Sequence, residues 1–197
     1  MTPTKRAFDL LCVLVLGLIL LPVFILVAIW IAVQDGRPIL YRSERMRTPT
    51  QAFDLLKFRT MTVADADRGV SGGDKSSRVT RVGAKLRRLR LDEIPQLWNV
   101  LVGDISFVGP RPPLREYVER FPDLYAEVLK SRPGITGLAS VKFHRREGAL
   151  LAACNTPAET DEVYARRCVP RKAQLDLIYQ RNRSICFDAI LMIKTVF

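Results

Sequence analysis

The sequence predicts an α+β protein that is mostly helical. It would begin with a re-entrant membrane helix-break-helix and continue into a compact domain with a small β element and amphipathic interface helices. Three observations carry this. Every residue from Leu10 to Val33 is apolar, Gly or Pro, a run of 24 positions that contains Pro22. Two short segments after it read as strands, the second with partial alternation. From Arg81 onward, apolar residues recur with helical spacing.

The apolar run is long enough to cross a bilayer. Pro22 removes a hydrogen-bond donor and clashes with the carbonyl four residues back, which kinks the helix; Gly17 lies about one turn before it. Both flanks are basic, with Lys5 and Arg6 before and Arg37, Arg42, Arg45 and Arg47 after. Positive residues prefer the cytoplasmic side, so two basic flanks favour a helix that turns around at Leu21 and Pro22 and leaves by the face it entered. A plain spanning helix with an ordinary proline kink is the alternative. A cleaved signal peptide fits less well, because no small-residue cleavage site follows. Lys5 and Arg6 either bind lipid phosphates or anchor the helix by snorkelling. The chain then divides into an anchor over 1–36 and one integrated cytoplasmic domain over 37–197.

Asp35-Gly36-Arg37-Pro38 ends the anchor as a turn. Ile39 to Arg45 and Phe53 to Met61 read as strands, the second with Lys57 and Arg59 on one face. Residues 64–77, polar and containing Gly69, Gly72 and Gly73, read as a mobile loop. From Arg81, Val82, Leu86 and Leu89 make an apolar stripe, while Lys85, Arg87, Arg88 and Arg90 project elsewhere. Pro95 belongs in a first helical turn, so Asp92 and Glu93 fall at a helix junction, before a helix over about 95–102. Glu116 to Ser131 reads as one amphipathic helix and Arg132 to Gly137 as a rigid loop. Residues 157–182 form a charged helical stretch, and 187–197 a final apolar helix for the core or the membrane surface.

A chain of 197 residues suffices for one domain with a real core. Lys and Arg number 31 against 20 acidic residues, and the net charge of +11 asks for an anionic partner: nucleic acid, phospholipid or a phosphorylated metabolite. Nucleic acid would leave the apolar run unexplained, and no helix-turn-helix, RNP-like or zinc-finger pattern occurs. Cys12, Cys154, Cys168 and Cys186 have no ligand spacing and read as free thiols in a reducing compartment. His144 is alone, which argues against a His-based metal site or a His-dependent triad.

The sharpest signal is Leu91 to Leu101, Leu-Asp-Glu-Ile-Pro-Gln-Leu-Trp-Asn-Val-Leu, preceded by Arg87, Arg88 and Arg90 and followed by Gly109-Pro110-Arg111-Pro112. A carboxylate near a helix start and among arginines stays ionised, and can coordinate Mg²⁺ or attack phosphorus. Arg87 lies five residues before Asp92, and Arg111 is stiffened between two prolines. Such arginines hold diphosphate oxygens in forked hydrogen bonds. Alone, Asp92-Glu93 would read as a helix cap. Beside both arginine elements and the apolar run, it reads as chemistry on an anionic, phosphorylated substrate. Trp98 and Phe107 read as core or membrane-facing packing, and Asp104 as a turn residue.

In five stretches, taken in order, the chain resembles the bacterial sugar transferases, the monotopic polyprenyl-phosphate phosphoglycosyl transferases. These are Lys5 to Asp9, Lys57 to Met61, Leu91 to Leu101, Gly103 to Pro112 and Arg132 to Gly137. It looks like the small catalytic form, without the extra N-terminal membrane helices of larger members. The resemblance implies a monotopic protein of the bacterial inner membrane, with its globule on the cytoplasmic face. It implies transfer of a sugar 1-phosphate from a UDP-sugar to undecaprenyl phosphate with release of UMP, the first membrane step of exopolysaccharide or glycoconjugate assembly.

By the family pattern Asp92 is the nucleophile, forming a covalent phosphosugar intermediate, and Glu93 is its dyad partner. Mg²⁺ bridges Asp92 and the diphosphate, with Glu93 assisting. Arg87 and Arg111 fall on phosphate-binding positions, and Asp176 matches a C-terminal acidic position close to the active site. Lys57 and Arg59 either face the nucleotide phosphates or are solvated strand-edge charges. Arg145 and Arg146 either take the diphosphate or uridine side or form a solvated face. The implied partners are the donor, the acceptor and inner-membrane phospholipids, without nucleic acid. A homodimer stays open, as does a non-catalytic module that holds anionic lipids. Two departures stand out: Leu21 where many members carry Ser before Pro, and Leu138 to Glu147 where many continue Trp-Ala-Gln-Val and a Gly-Arg.

Overall fold

The computed structural model describes residues 1–62 and 77–196. The loop expected over 64–77 lies, but for Ser77, outside them. Helix α1 (Pro3–Gln34) starts on Thr2, whose hydroxyl accepts from the Lys5 amide, with Pro3 in its first turn. It is one continuous helix with Pro22 inside, so the expected pair of half-helices is a single helical segment. Proline deletes one backbone bond and the turns on either side carry the helix past it.

Strands β1 (Leu40–Met46) and β2 (Ala52–Phe58) pair antiparallel, with Leu40 opposite Phe58 and Met46 opposite Ala52, close to where alternation predicts them. Helix α2 (Arg81–Arg88) is capped by Thr80. A 3₁₀ turn (Leu91–Glu93) follows, then α3 (Gln96–Val102), so the dyad occupies the expected junction. Strand β3 (Ser106–Val108) pairs in parallel with β4 (Gly134–Thr136). Half of the expected loop over 132–137 is therefore strand; three residues are too few to display alternation.

The helix expected over 116–131 is two, α4 (Arg115–Arg120) and α5 (Pro122–Val128), joined at Phe121 with φ −131° and ψ 60°. Pro122 excludes the residue before it from helical backbone. Helix α6 (Leu138–Ala152) was not foreseen, because its charged run and Gly148 obscure the stripe. The stretch 157–182 is α7 (Pro157–Val163), a π-helical turn (Tyr164–Cys168) and α8 (Val169–Asn182). Helix α9 (Ile185–Val196) closes the chain. Phe107 is core, whereas Trp98 is exposed, leaving only the outward-facing half of its expected role.

The largest cluster joins Tyr117, Tyr125 and Val128 of α4 and α5 to Phe143 and Leu151 of α6 and Val169 of α8. Each such side chain contributes about 1.5–3 kcal/mol on burial. The parallel pair fixes where Arg111 emerges. A Cβ on Gly109 would lie 2.1 Å from the Arg132 carbonyl oxygen, so only glycine lets the two backbones close. The Gly109 amide then donates to the Thr136 carbonyl and the Gly134 amide to the Pro110 carbonyl.

Both ends of α1 pack on this domain. Its most apolar window is only 11% buried, unlike a core helix. Val13 joins Leu55, Val100, Ile105 and Phe107, and Val27 and Ile31 join Phe58, Val82 and Leu86. Between Leu16 and Val23, no residue belongs to any hydrophobic cluster among the described residues. At the N-terminal end, the Arg6 guanidinium donates to the Val100 and Leu101 carbonyls, 2.6 Å each, in the last turn of α3. The Val100 carbonyl also accepts from the Gly103 amide at the helix end. Lys5 ion-pairs with buried Asp188 of α9, and buried Asp9 accepts from the Phe107 amide. At the other end, Arg59 donates to the Asp35 and Gly36 carbonyls at 2.5 and 2.8 Å. Thr80 Oγ1 donates to the Asp35 carboxylate at 2.8 Å.

Candidate active site

Helix α2 sits against the end of β2. A Cβ on Gly83 would meet the Thr60 carbonyl at 2.1 Å, and the Arg87 Nε donates to Thr60 Oγ1 at 2.9 Å. After α2, Arg90 takes a left-handed conformation, φ +54°, which turns the chain sharply into the dyad. Few residues other than glycine adopt that backbone. On the far side, Asn99 of α3 is 2% exposed. Its Nδ2 donates to the Asp54 carbonyl at 2.8 Å and its Oδ1 accepts from the Leu56 amide at 3.0 Å. Asn99 thereby satisfies open backbone groups of β2 and fastens the helix after the dyad to the strand that carries Lys57. An asparagine inside a helix is a weak sequence signal, and its role was not foreseen.

The two carboxylates have different surroundings. Glu93 Oε1 receives Arg111 Nη2 at 2.9 Å and Lys57 Nζ at 3.4 Å, while Oε2 lies 3.8 Å from Arg90 Nη1. Burial alone would raise the Glu93 carboxyl, but Arg111 and Lys57 outweigh it and bring it down to about 2. The Arg111 guanidinium is raised in turn by Glu93. Lys57 is lowered to about 8, first by burial and then by Arg111, against the pull of Glu93 and Asp92. Asp92 is 9% exposed, and among the described residues no cation forms an ion pair with it. Burial raises its carboxyl above the ordinary range, with Lys57 working the other way.

The dyad opens onto a cavity of about 1020 Å³ whose wall includes Lys57, Arg87, Arg88 and Arg111. A second cavity of about 580 Å³ shares Arg45, Lys57, Arg90, Arg111 and His144 with it and extends between α5, α6 and α8. Asp176 lies in the second cavity. It is 6% exposed, burial pushes its carboxyl up to about 7, and its Oδ1 has no hydrogen-bond partner among the described residues. Beside it, Lys172 pairs with Glu147 at 2.7 Å and donates to the Tyr164 hydroxyl at 3.2 Å.

The fold thus gathers Asp92, Glu93, Lys57, Arg87 and Arg111 around one space, with Asp176 in the adjoining one. Arg59 lines the first cavity too, although its Nη2 is held by the end of α1. Arg145 is exposed on α6 and lines neither cavity. Lys5 and Arg6 have protein partners, on α9 and α3.

Among the described residues, no three His, Cys, Asp or Glu side chains gather into a metal cage. Mg²⁺ commonly takes only one or two carboxylates together with substrate phosphate oxygens. The hard oxygens of Asp92 and Glu93 fit such an ion arriving with a diphosphate, with Asp92 the less engaged of the two.

Comparison with known proteins supplies context for this geometry. A sequence model of the family "Bacterial sugar transferase" matches residues 1–197. The exopolysaccharide production protein ExoY of Sinorhizobium fredii is 33% identical over 210 residues, covering 98% of this chain and 84% of that protein. The UDP-glucose:undecaprenyl-phosphate glucose-1-phosphate transferase of Caulobacter vibrioides is 40% identical over 203 residues, covering 98% of this chain and 68% of that protein. The Escherichia coli protein of the same name is 32% identical over 197 residues, again covering 98% of this chain but 39% of the longer relative.

Proposed function

We propose, given that this chain belongs to the bacterial sugar transferase family, that it moves a sugar 1-phosphate from a UDP-sugar to undecaprenyl phosphate and releases UMP. The names of the Caulobacter and Escherichia relatives support the reaction type. The observation that carries the reading is the contrast inside the dyad. Glu93 is held by Lys57, Arg90 and Arg111, while adjacent Asp92 is buried without an ion pair among the described residues. A buried carboxylate with little solvation and no ion-pair partner is, once ionised, primed to attack an electrophile.

In the first step an Asp92 oxygen attacks the phosphorus that bears the sugar. The new O–P bond forms as the bond to the UMP oxygen breaks, and UMP departs with that electron pair. In the second step an oxygen of undecaprenyl phosphate attacks the same phosphorus. The Asp92–phosphorus bond breaks, the carboxylate is regenerated, and the lipid carries a diphosphate-linked sugar. Arg111 and Lys57 hold the diphosphate oxygens, which replace part of Glu93 on those cations. Arg87, kept by Thr60, adds positive charge facing Asp92. Glu93 keeps the cation cluster assembled between turnovers and serves the metal together with Asp92. Mg²⁺, when bound, supplies neutralisation of the charge that develops on the diphosphate.

A lipid acceptor requires a site at the membrane. An apolar helix that returns to the domain at both ends, with its unpacked stretch around Pro22, supports a re-entrant anchor on the cytoplasmic face of the inner membrane. A straight helix of this length would extend about 48 Å at 1.5 Å per residue, far beyond a single contact patch.

Exchange of labelled UMP into the UDP-sugar tests the mechanism, because that half-reaction passes through the aspartyl intermediate. Asp92→Asn is expected to lower exchange by at least about 10³-fold. Exchange that survives in this variant rules out the covalent route.

A further inference from the structure

We infer that the second cavity, between α5, α6 and α8, receives the hexose of the donor, and that Asp176 anchors its hydroxyl groups. The inference rests on the function proposed above. The phosphorus that Asp92 would attack bears the sugar, so the sugar must lie directly beyond the cations that hold that phosphate. Lys57 and Arg111 are those cations, and both also form part of the second cavity's wall.

The two cavities differ beyond their shared wall. The first continues past Arg42, Arg87 and Arg88, surroundings suited to phosphate and to a lipid phosphate; Glu44, Glu116 and Glu119 also line it, and Arg115 there is held by Glu44. Beyond the shared wall, the second is lined by Ser140, the Lys172–Glu147 pair, Tyr164 and the buried Asp176. A phosphate gains nothing by approaching a carboxylate. A neutral polyol does, because each hydroxyl both donates and accepts. Asp176 Oδ1 is buried and, among the described residues, has no hydrogen-bond partner, a costly state that a ligand hydroxyl would relieve. The rings of Tyr125 and Tyr164 border the same space and offer apolar surface to the C–H faces of a pyranose. At about 580 Å³, the cavity falls within the usual ~300–1000 Å³ range of small-molecule sites.

The test is calorimetric binding of UDP-glucose, UDP-galactose and UDP to the full chain in lipid nanodiscs with Mg²⁺. Wild type is compared with Asp176→Asn and Asp176→Ala, with thermal melts to establish folding. The alanine variant is expected to bind both UDP-sugars about tenfold or more weakly, and to change the glucose-to-galactose ratio, while UDP binding stays within about twofold. The asparagine variant should fall between. Equal losses for UDP and the UDP-sugars would assign the cavity to the nucleoside and overturn the inference, as would unchanged binding of all three. If neither Asp176 variant folds, Ser140→Ala and Glu147→Gln carry the same comparison. Failure of the transfer reaction is a separate outcome. Wild type would then release no UMP from any UDP-sugar in the presence of polyprenyl phosphate.

Discussion

Lys57 and Glu93 leave their ordinary titration ranges for opposite reasons. Burial and Arg111 take Lys57 down to about 8, and Arg111 with Lys57 overcomes burial to hold Glu93 near 2. Both ions persist at neutral pH, so the cation cluster stays charged without a bound donor. Two limbs are therefore expected in the pH profile of kcat/KM. On the mechanism proposed above, transfer needs ionised Asp92, so the rate is expected to fall on acidification through a value above the ordinary carboxylate range. Transfer also needs charged Lys57, so it falls again as pH rises past about 8. Lys57→Arg should remove the alkaline limb, and a steady-state profile from pH 5 to 10 would reveal it. Asp176 gives a stability signature. Its folded-state value, about 7, lies above that of an unfolded aspartate, so folding takes up a proton between the two. The stabilisation is complete at low pH and is lost as pH rises toward 7. Asp176→Asn should flatten denaturation midpoints across that window.

Secondary structure was legible where the pattern is local. The β1–β2 hairpin follows its alternation, and the dyad's junction follows Pro95. What stayed hidden depends on partners distant in sequence. Strand β4 exists because β3 lies beside it, and Arg59 binds carbonyls that lie more than twenty positions away. Asn99 has no local role and takes its meaning from the edge of β2. Asp92 and Glu93 were identifiable as a pair, but their unequal surroundings arise only when Lys57 and Arg111 converge. Asn99→Ala should cost about 1–3 kcal/mol in chemical denaturation for each backbone group left unsatisfied. Gly109→Ala forces a Cβ into the Arg132 carbonyl. It should destabilise by at least about 1–3 kcal/mol and lower transfer further by displacing Arg111.

Across the molecule, the two ends of α1 bracket the catalytic segment. Arg6 holds the end of α3, while Asp35 and Gly36 meet Arg59 and Thr80 near the start of α2. Cysteines introduced at Thr4 and Gly36, in a background lacking Cys12 and Cys186, should both react with a membrane-impermeant reagent from the cytoplasmic side. Reaction of one from each side would mean a spanning helix. In the re-entrant arrangement proposed above, the double attachment would also work as a depth stop. The dyad is fastened to the points where the helix leaves and rejoins the domain, so its height above the lipid would follow from the length of chain between them. A helical turn added to each arm would deepen such an excursion by about 5.4 Å and leave both docks in place. On the proposed function, the reach of Asp92 toward a lipid phosphate would then be written in the number of residues between Val13 and Val27.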